Sequence, residues 1–356
     1  MQHVRDLLRQ LAAFEPDDAL ILSIYLDMRP HTTGENPAIR TARIVLKDRF
    51  RQIEKTLLPR GAALDNFRID ANRVQRYLDE HAAPWLQGVA IFACNSHQLF
   101  EVIETGVPFE DQVVLEPVPD LFQLARLIDE QETAVVALVD TNTTRLFVTR
   151  SGFLEEVAGP DDDSFGYRMR NTGMLNHKHY QRHVQNQREA FAREAATALE
   201  NLVKQEDAKR VILAGDAVAI PLLHQALSPQ LEPLIYEEVL RLDIRTPRHQ
   251  VLREIEPILE AEEQESSHSR ADQLVEAIRA QGLGVIGLQE TRDALEQGAG
   301  DVLILAEETP LDEQERNNLV RLATLSSAEV DLVKGHEILQ QMGGVGALLR
   351  YRTRWV

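Results

Sequence analysis

Ala294-Leu295-Glu296-Gln297-Gly298-Ala299-Gly300-Asp301-Val302-Leu303-Ile304-Leu305 is the stretch whose reading decides the fold. Residues 288–297 read as a short helix, and the Gly298-Ala299-Gly300 run ends it. An apolar strand over 301–305 follows at once. A second strand is expected over 328–333. Beyond it the Gly343-Gly344 turn leads into Val345-Gly346-Ala347-Leu348-Leu349-Arg350-Tyr351-Arg352. Short helices alternating with β-rich runs predict a small layered α/β domain, α-β-α in section.

Working outward, a chain of 356 residues exceeds what one hydrophobic core usually fills. Three α/β domains are expected, over 1–128, 129–244 and 245–356. The first opens with an amphipathic helix over 4–13 and a strand over 19–27. A helix over 38–58 follows, with Ile39, Ala42, Leu46, Phe50, Ile53 and Leu57 at helical spacing. Strands are expected over 89–93, 98–103 and 112–116, and Pro117 and Pro119 mark the exit. The middle segment begins with a buried strand over 133–140. Strands over 145–150 and 153–157 are joined at Ser151-Gly152. A long helix over 177–203 then precedes a strand over 210–215, a helix over 218–227 and a strand over 234–242. The third segment starts with a glutamate-rich helix over 254–265, whose charged face reads as solvated surface. A second helix is expected over 271–281.

The formal net charge is −19, with 44% hydrophobic and 27% charged residues, as in ordinary globular proteins. No apolar run approaches eighteen residues, and the charged N-terminus is unlike a signal peptide. The single cysteine, Cys94, sits in an apolar run and reads as a buried thiol. These features point to the cytoplasm, with no membrane partner. So acidic a total argues against nucleic-acid binding, which draws affinity from neutralising phosphates. Distribution matters more than the sum. Between Gly166 and Arg193 stand Arg168, Arg170, Lys178, Arg182, Arg188 and Arg193 against the lone Glu189, a net of +5. His177, His179 and His183 add donors, while Tyr167 and Tyr180 add stacking surfaces. Cations interleaved with aromatics suit an RNA backbone and exposed bases.

The wording of the third segment resembles a known family. Ala294-Leu295-Glu296, Gly298-Ala299 and Leu303-Ile304, followed by Gly343-Gly344-Val345-Gly346-Ala347-Leu348-Leu349-Arg350-Tyr351-Arg352, are similar to the third domain of the archaeal and eukaryotic class-1 translation release factors and their ribosome-rescue relative Pelota. Upstream, Val136–Asp140 and Arg210-Val211-Ile212-Leu213-Ala214-Gly215 resemble strands of that family's RNase H-like middle domain. The first segment is similar in topology only.

Two departures shape what the resemblance implies. Release factors carry Gly-Gly-Gln before the middle-domain helix, where the backbone positions the water that hydrolyses peptidyl-tRNA. Here Gly173 stands alone between Thr172 and Met174, without the backbone freedom of a glycine pair. The Asn-Ile-Lys-Ser signature of stop-codon readers is absent from the first segment. The resemblance thus implies a noncatalytic ribosome-associated factor in rescue, stalling or hibernation, as for Pelota-like members. Its RNA-binding residues would be Tyr167, Arg168, Arg170, Asn171, Gly173, His177, Lys178, His179, Arg182 and Arg188, meeting rRNA and possibly tRNA. An elongation-factor-type GTPase is the implied partner of the third domain. No cofactor and no metal are expected.

Other readings compete. A divergent loop around Gly173 retaining peptidyl-tRNA hydrolysis is one. A metal-dependent RNase is another, with Asp140, Asp216 and one of Asp161, Asp162 or Asp163 converging on Mg²⁺. Against it, strand-end aspartates commonly cap turns and helices. Gly282-Leu283-Gly284-Val285-Ile286-Gly287 satisfies a dinucleotide fingerprint, but a helical run precedes it where a strand is required. His179 and His183 at i, i+4 lack the companions of a zinc site.

Overall fold

The computed structural model describes residues 2–15, 19–29, 37–81, 83, 85–158 and 177–352. Its contacts divide it into two compact units, one formed by Met1–Glu130 with Glu262–Val356 and the other by Gln131–Ala261. Among the described residues, three four-stranded sheets, one for each segment of the chain, make the three-module α/β architecture.

The first module opens with helix α1 (Gln2–Ala12), whose Val4, Leu7, Leu8 and Leu11 recur on one face and are buried. Strand β1 (Ile21–Asp27), helices α2 (Pro37–Thr56) and α3 (Ala62–Glu80), and strands β2 (Gly88–Cys94), β3 (Leu99–Thr105) and β4 (Gln112–Glu116) follow, then helix α4 (Phe122–Glu130). The sheet runs β3-β2-β1-β4, antiparallel throughout. β1 is buried on both faces. Ile21 and Tyr25 share a core with Phe92 and α1, while α2 packs against β1 and α3 against β2. Helix α3 was not expected, although Leu64, Phe67, Ala71, Val74 and Leu78 carry a helical period and are buried.

The middle module contains β5 (Ala134–Val139), β6 (Thr144–Arg150), β7 (Phe153–Ala158), helix α5 (His177–Glu206), β8 (Arg210–Gly215) and helix α6 (Ala219–Ala226). Its sheet order is β7-β6-β5-β8, with β5 and β8 parallel and the rest antiparallel. Ser151 and Gly152 both have positive φ, 48° and 79°, the backbone of a tight hairpin turn. Ala195, Leu199 and Val203 of α5 cover one face, against Val135, Ala137 and Leu213. Val136, Leu138, Phe147 and Ile212 on the other meet Val251 and Ile255.

Residues 234–242 do not form the expected strand. They touch β8 at two isolated bridges, Val211↔Ile235 and Ala214↔Leu240. Three steps on β8 match five on the other chain, so Glu237-Glu238 bow out and no regular ladder closes. The two helices expected over 254–265 and 271–281 are one, α7 (Arg248–Arg279), with Pro257 inside it.

The third module has β9 (Gly284–Ile286), α8 (Leu288–Glu296), β10 (Gly300–Ala306), α9 (Glu313–Leu325), β11 (Glu329–Val333), α10 (Glu337–Gln341) and β12 (Val345–Leu349). Its sheet order is β11-β10-β12-β9, with only β10 and β11 parallel. Alternate residues of β10 face opposite ways. Leu303 and Leu305 join a core with Leu295 of α8 and Leu319 of α9. Ile304 and Ala306 meet Ala271 and Leu274 of α7 and Leu339 of α10. That is the expected α-β-α layering.

The first and third modules share one apolar core running from Val4 to Val345. Polar bonds fasten the same seam. Asn317 of α9 accepts from the Leu121 amide at 2.8 Å and donates to the Pro119 carbonyl at 2.9 Å. Arg321 donates to the Ala12 carbonyl at 2.9 Å.

Candidate nucleic-acid interface

Of the ten positions singled out for RNA contact, Tyr167, Arg168, Arg170, Asn171 and Gly173 lie outside the described residues, as do Asp161, Asp162 and Asp163. His177, Lys178, His179 and Arg182 fall within α5, whose backbone is helical from His177 onward. Residues 167–173 thus precede this thirty-residue helix closely in sequence. Further along, Ala192, Ala195, Ala196 and Leu199 are buried, which fixes the helix on the sheet.

Arg188 is the member of the set whose side-chain surroundings are described, and they are specific. It borders a hollow with Val139, Asp140, Thr141, Phe191 and Ala219, at the C-terminal ends of the parallel strands. Its Nε is buried and makes no hydrogen bond. No ion pair to Arg188 or Arg193 occurs among the described residues, and Arg193 is exposed. A half-buried guanidinium without an anion keeps its bonding capacity for a ligand oxygen.

The strand-end aspartates are occupied in another way. Asp140 accepts from the amides of Asn142 at 2.7 Å and Thr143 at 2.6 Å, closing the β5–β6 turn. Asp216 accepts from the amides of Val218 at 2.7 Å and Ala219 at 2.8 Å, at the start of α6. Both are the capping roles that local backbone geometry favours. No three His, Cys, Asp or Glu side chains among the described residues are grouped to hold a metal ion.

The glycines of Gly282-Leu283-Gly284-Val285-Ile286-Gly287 serve packing. A Cβ on Gly284 would meet Ala277 and Leu274 of α7 at 3.1 and 3.2 Å, and Gly287 turns the chain from β9 into α8 with φ 98°. The Arg350-Tyr351-Arg352 signature, although exposed, is likewise bonded to the protein's own chain. Arg350 donates to Asp301 at 3.1 Å, to the Ser326 carbonyl at 3.0 Å and to the Ser327 carbonyl. Tyr351 donates to the Gln297 carbonyl and Arg352 to the Gln281 carbonyl, each at 3.0 Å. These three side chains tie the last strand to the ends of α7, α8 and α9. That structural duty was not evident from their spacing, since every acceptor is remote in sequence.

Residues 119–260 match the model of bacterial archaeo-eukaryotic release factor family 10, and residues 266–353 match eRF1 domain 3. The protein pelota homolog of Thermococcus kodakarensis is 26% identical over 194 residues, which cover 51% of this chain and 54% of that protein. The chain thus spans about half the length of the curated relatives it matches. Among solved structures, an archaeal Pelota in a ribosome-bound model with ABCE1 aligns over 98% of this chain and 95% of its own, at 15% identity and TM-score 0.46. Archaeoglobus fulgidus Pelota aligns over 75% and 80%, at 20% identity and TM-score 0.38. The domain models define the class as archaeo-eukaryotic release factors. Within that class, the chain is a member of the Pelota/eRF1-like family. Among the described residues, no helix is long and apolar enough to cross a membrane.

Proposed function

We propose that this chain is a noncatalytic ribosome-associated factor, acting in rescue, stalling or hibernation in the cytoplasm. The observation that carries the reading is the concentration of six arginines and lysines against one glutamate over 166–193, in a chain of net charge −19. Tyr167, Arg168, Arg170, Asn171 and Gly173 of the loop, with His177, Lys178, His179, Arg182 and Arg188 of α5, contact rRNA or tRNA in this proposal. Acidic surface elsewhere limits nonspecific binding. The lone Gly173 supports the noncatalytic assignment. The first module faces the decoding region and the third takes an elongation-factor-type GTPase. No cofactor enters the proposal.

Ribosome pelleting from stationary-phase cells tests it. The chain should co-sediment at low salt and be released as salt rises. Reversing Arg168, Arg170, Lys178 and Arg182 to glutamate should weaken binding and lower the log–log salt slope by roughly 3. Unchanged affinity would remove the basic stretch from the interface. Peptide release from stalled complexes should stay at background, and release above it would restore the hydrolytic reading.

A further inference from the structure

The seam between the first and third modules contains a carboxylate pair that the proposed function does not use. β11 is the outer strand of its sheet, so one of its backbone edges lacks a neighbouring strand. Asp129 of α4 fills that place, its Oδ2 accepting from the Leu332 amide at 2.7 Å. Asp331, the residue before Leu332, is 1% exposed. Its Oδ2 accepts from Arg270 of α7 at 2.9 Å, while its Oδ1 is buried with no hydrogen-bond partner among the described residues. A buried carboxylate oxygen left without a donor costs free energy.

The surroundings are short of positive charge. Facing Asp129 are Asp331 from β11 with Glu263 and Arg270 from α7, and Glu130 of α4 lies near Glu263. Glu329 of β11 also lies against Arg270, at 3.6 Å. Lys334 bonds Glu130 at 2.8 Å, with Glu307 and Glu263 nearby, and His268 of α7 meets the Lys334 carbonyl at 2.6 Å. A single guanidinium, Arg270, serves the two innermost acids. Burial first, and the Asp331 charge second, hold the Asp129 carboxyl well above the usual carboxylate range.

We propose that Asp129 and Asp331 form a one-proton clasp that closes the first module's exit helix onto the edge strand of the third module and loosens on deprotonation. Protonated Asp129 keeps one oxygen on the Leu332 amide and has one O–H to give. Asp331 Oδ1 is the acceptor that lacks a donor. Docking α4 takes up a proton, so acid favours the closed seam. The gain is lost as pH climbs through the raised value.

The test uses the full chain. Thermal unfolding, together with hydrogen exchange at the Leu332 amide corrected for its intrinsic rate, is followed between about pH 5 and about pH 9. Asp129→Asn mimics the protonated acid, since its amide can still accept from Leu332 and can donate to Asp331. It should match wild type at the acid end. At the alkaline end it should exceed wild type in Tm by about 2–4 °C, with Leu332 protection retained. Asp331→Asn should also flatten the pH dependence, which keeps the question answerable if the first variant folds poorly. Glu130→Gln, which breaks the outer bridge to Lys334, should lower Tm by a similar amount at every pH. Asp129→Asn below wild type at both ends, or a pH dependence that survives in both aspartate variants, would overturn the clasp.

Discussion

Asn317 is 5% exposed and reaches across the seam with both ends of its amide, to residues almost two hundred positions away. Replacing it with alanine strands the Leu121 amide and the Pro119 carbonyl in an apolar core. Each stranded group costs about 1–3 kcal/mol. Asn317→Ala should therefore lower the denaturation midpoint by several degrees and speed exchange at Leu121. Asn317→Asp should be no better, because a carboxylate cannot donate to Pro119. Nothing in the local pattern of α9 separates this asparagine from its neighbour Asn318. The distinction lies in which face meets another module, and a single sequence carries no record of that. The charged stretch around Arg168 and Lys178 was different. Its signal is compositional and could be counted directly, whereas the unpartnered state of Arg188 needed the fold.

At the level of elements, period and punctuation carried most of the reading. β4 and β8 run over 112–116 and 210–215 as expected, because alternation or continuous apolar character is bounded there by turn residues. Expectation failed where tertiary contact decided the outcome. Helix α3 is hard to read in the sequence, its apolar stripe diluted by Arg68, Arg73 and Arg76. Residues 234–242 were apolar enough for a strand, yet their spacing against β8 does not repeat. The turn before β12 and the strand itself make two different demands on glycine. Gly343 has φ 103° with open space around it, so alanine there meets backbone strain of about 1–2 kcal/mol. Gly346 has an ordinary backbone, but a Cβ would meet Leu274 Cδ2 at 2.6 Å and the Val285 carbonyl at 2.7 Å. Gly346→Val should cost about 3 kcal/mol or more by forcing α7 away from the sheet. Both variants can be ranked by urea denaturation, with Gly346→Val expected as the weaker protein.

On the scale of the molecule, Gln131–Ala261 is inserted between two stretches that build a single unit. Val4, Leu8 and Phe92 belong to the same core as Leu303, Leu319 and Val345. Glu130, at one end of the insertion, lies near enough to Glu263, just past the other end, to help hold the Glu263 carboxyl above its usual value. Replacing 131–261 with a short glycine–serine linker should therefore leave a folded remainder with a cooperative melting transition. Loss of cooperativity would show that the middle module is needed to hold the ends together. Truncation after residue 283 should be far more damaging, since it uncovers the α1 side of the N-terminal sheet.

That shared core sets an order of events at birth. The partners that cover α1, chiefly on α9, are translated about three hundred residues after it. Through that interval the nascent chain carries a half-built apolar wall, vulnerable to aggregation and attractive to chaperones. A premature stop between Leu295 and Val345 would therefore release a chain defective around α1, and cellular surveillance would meet it as a misfolded first module.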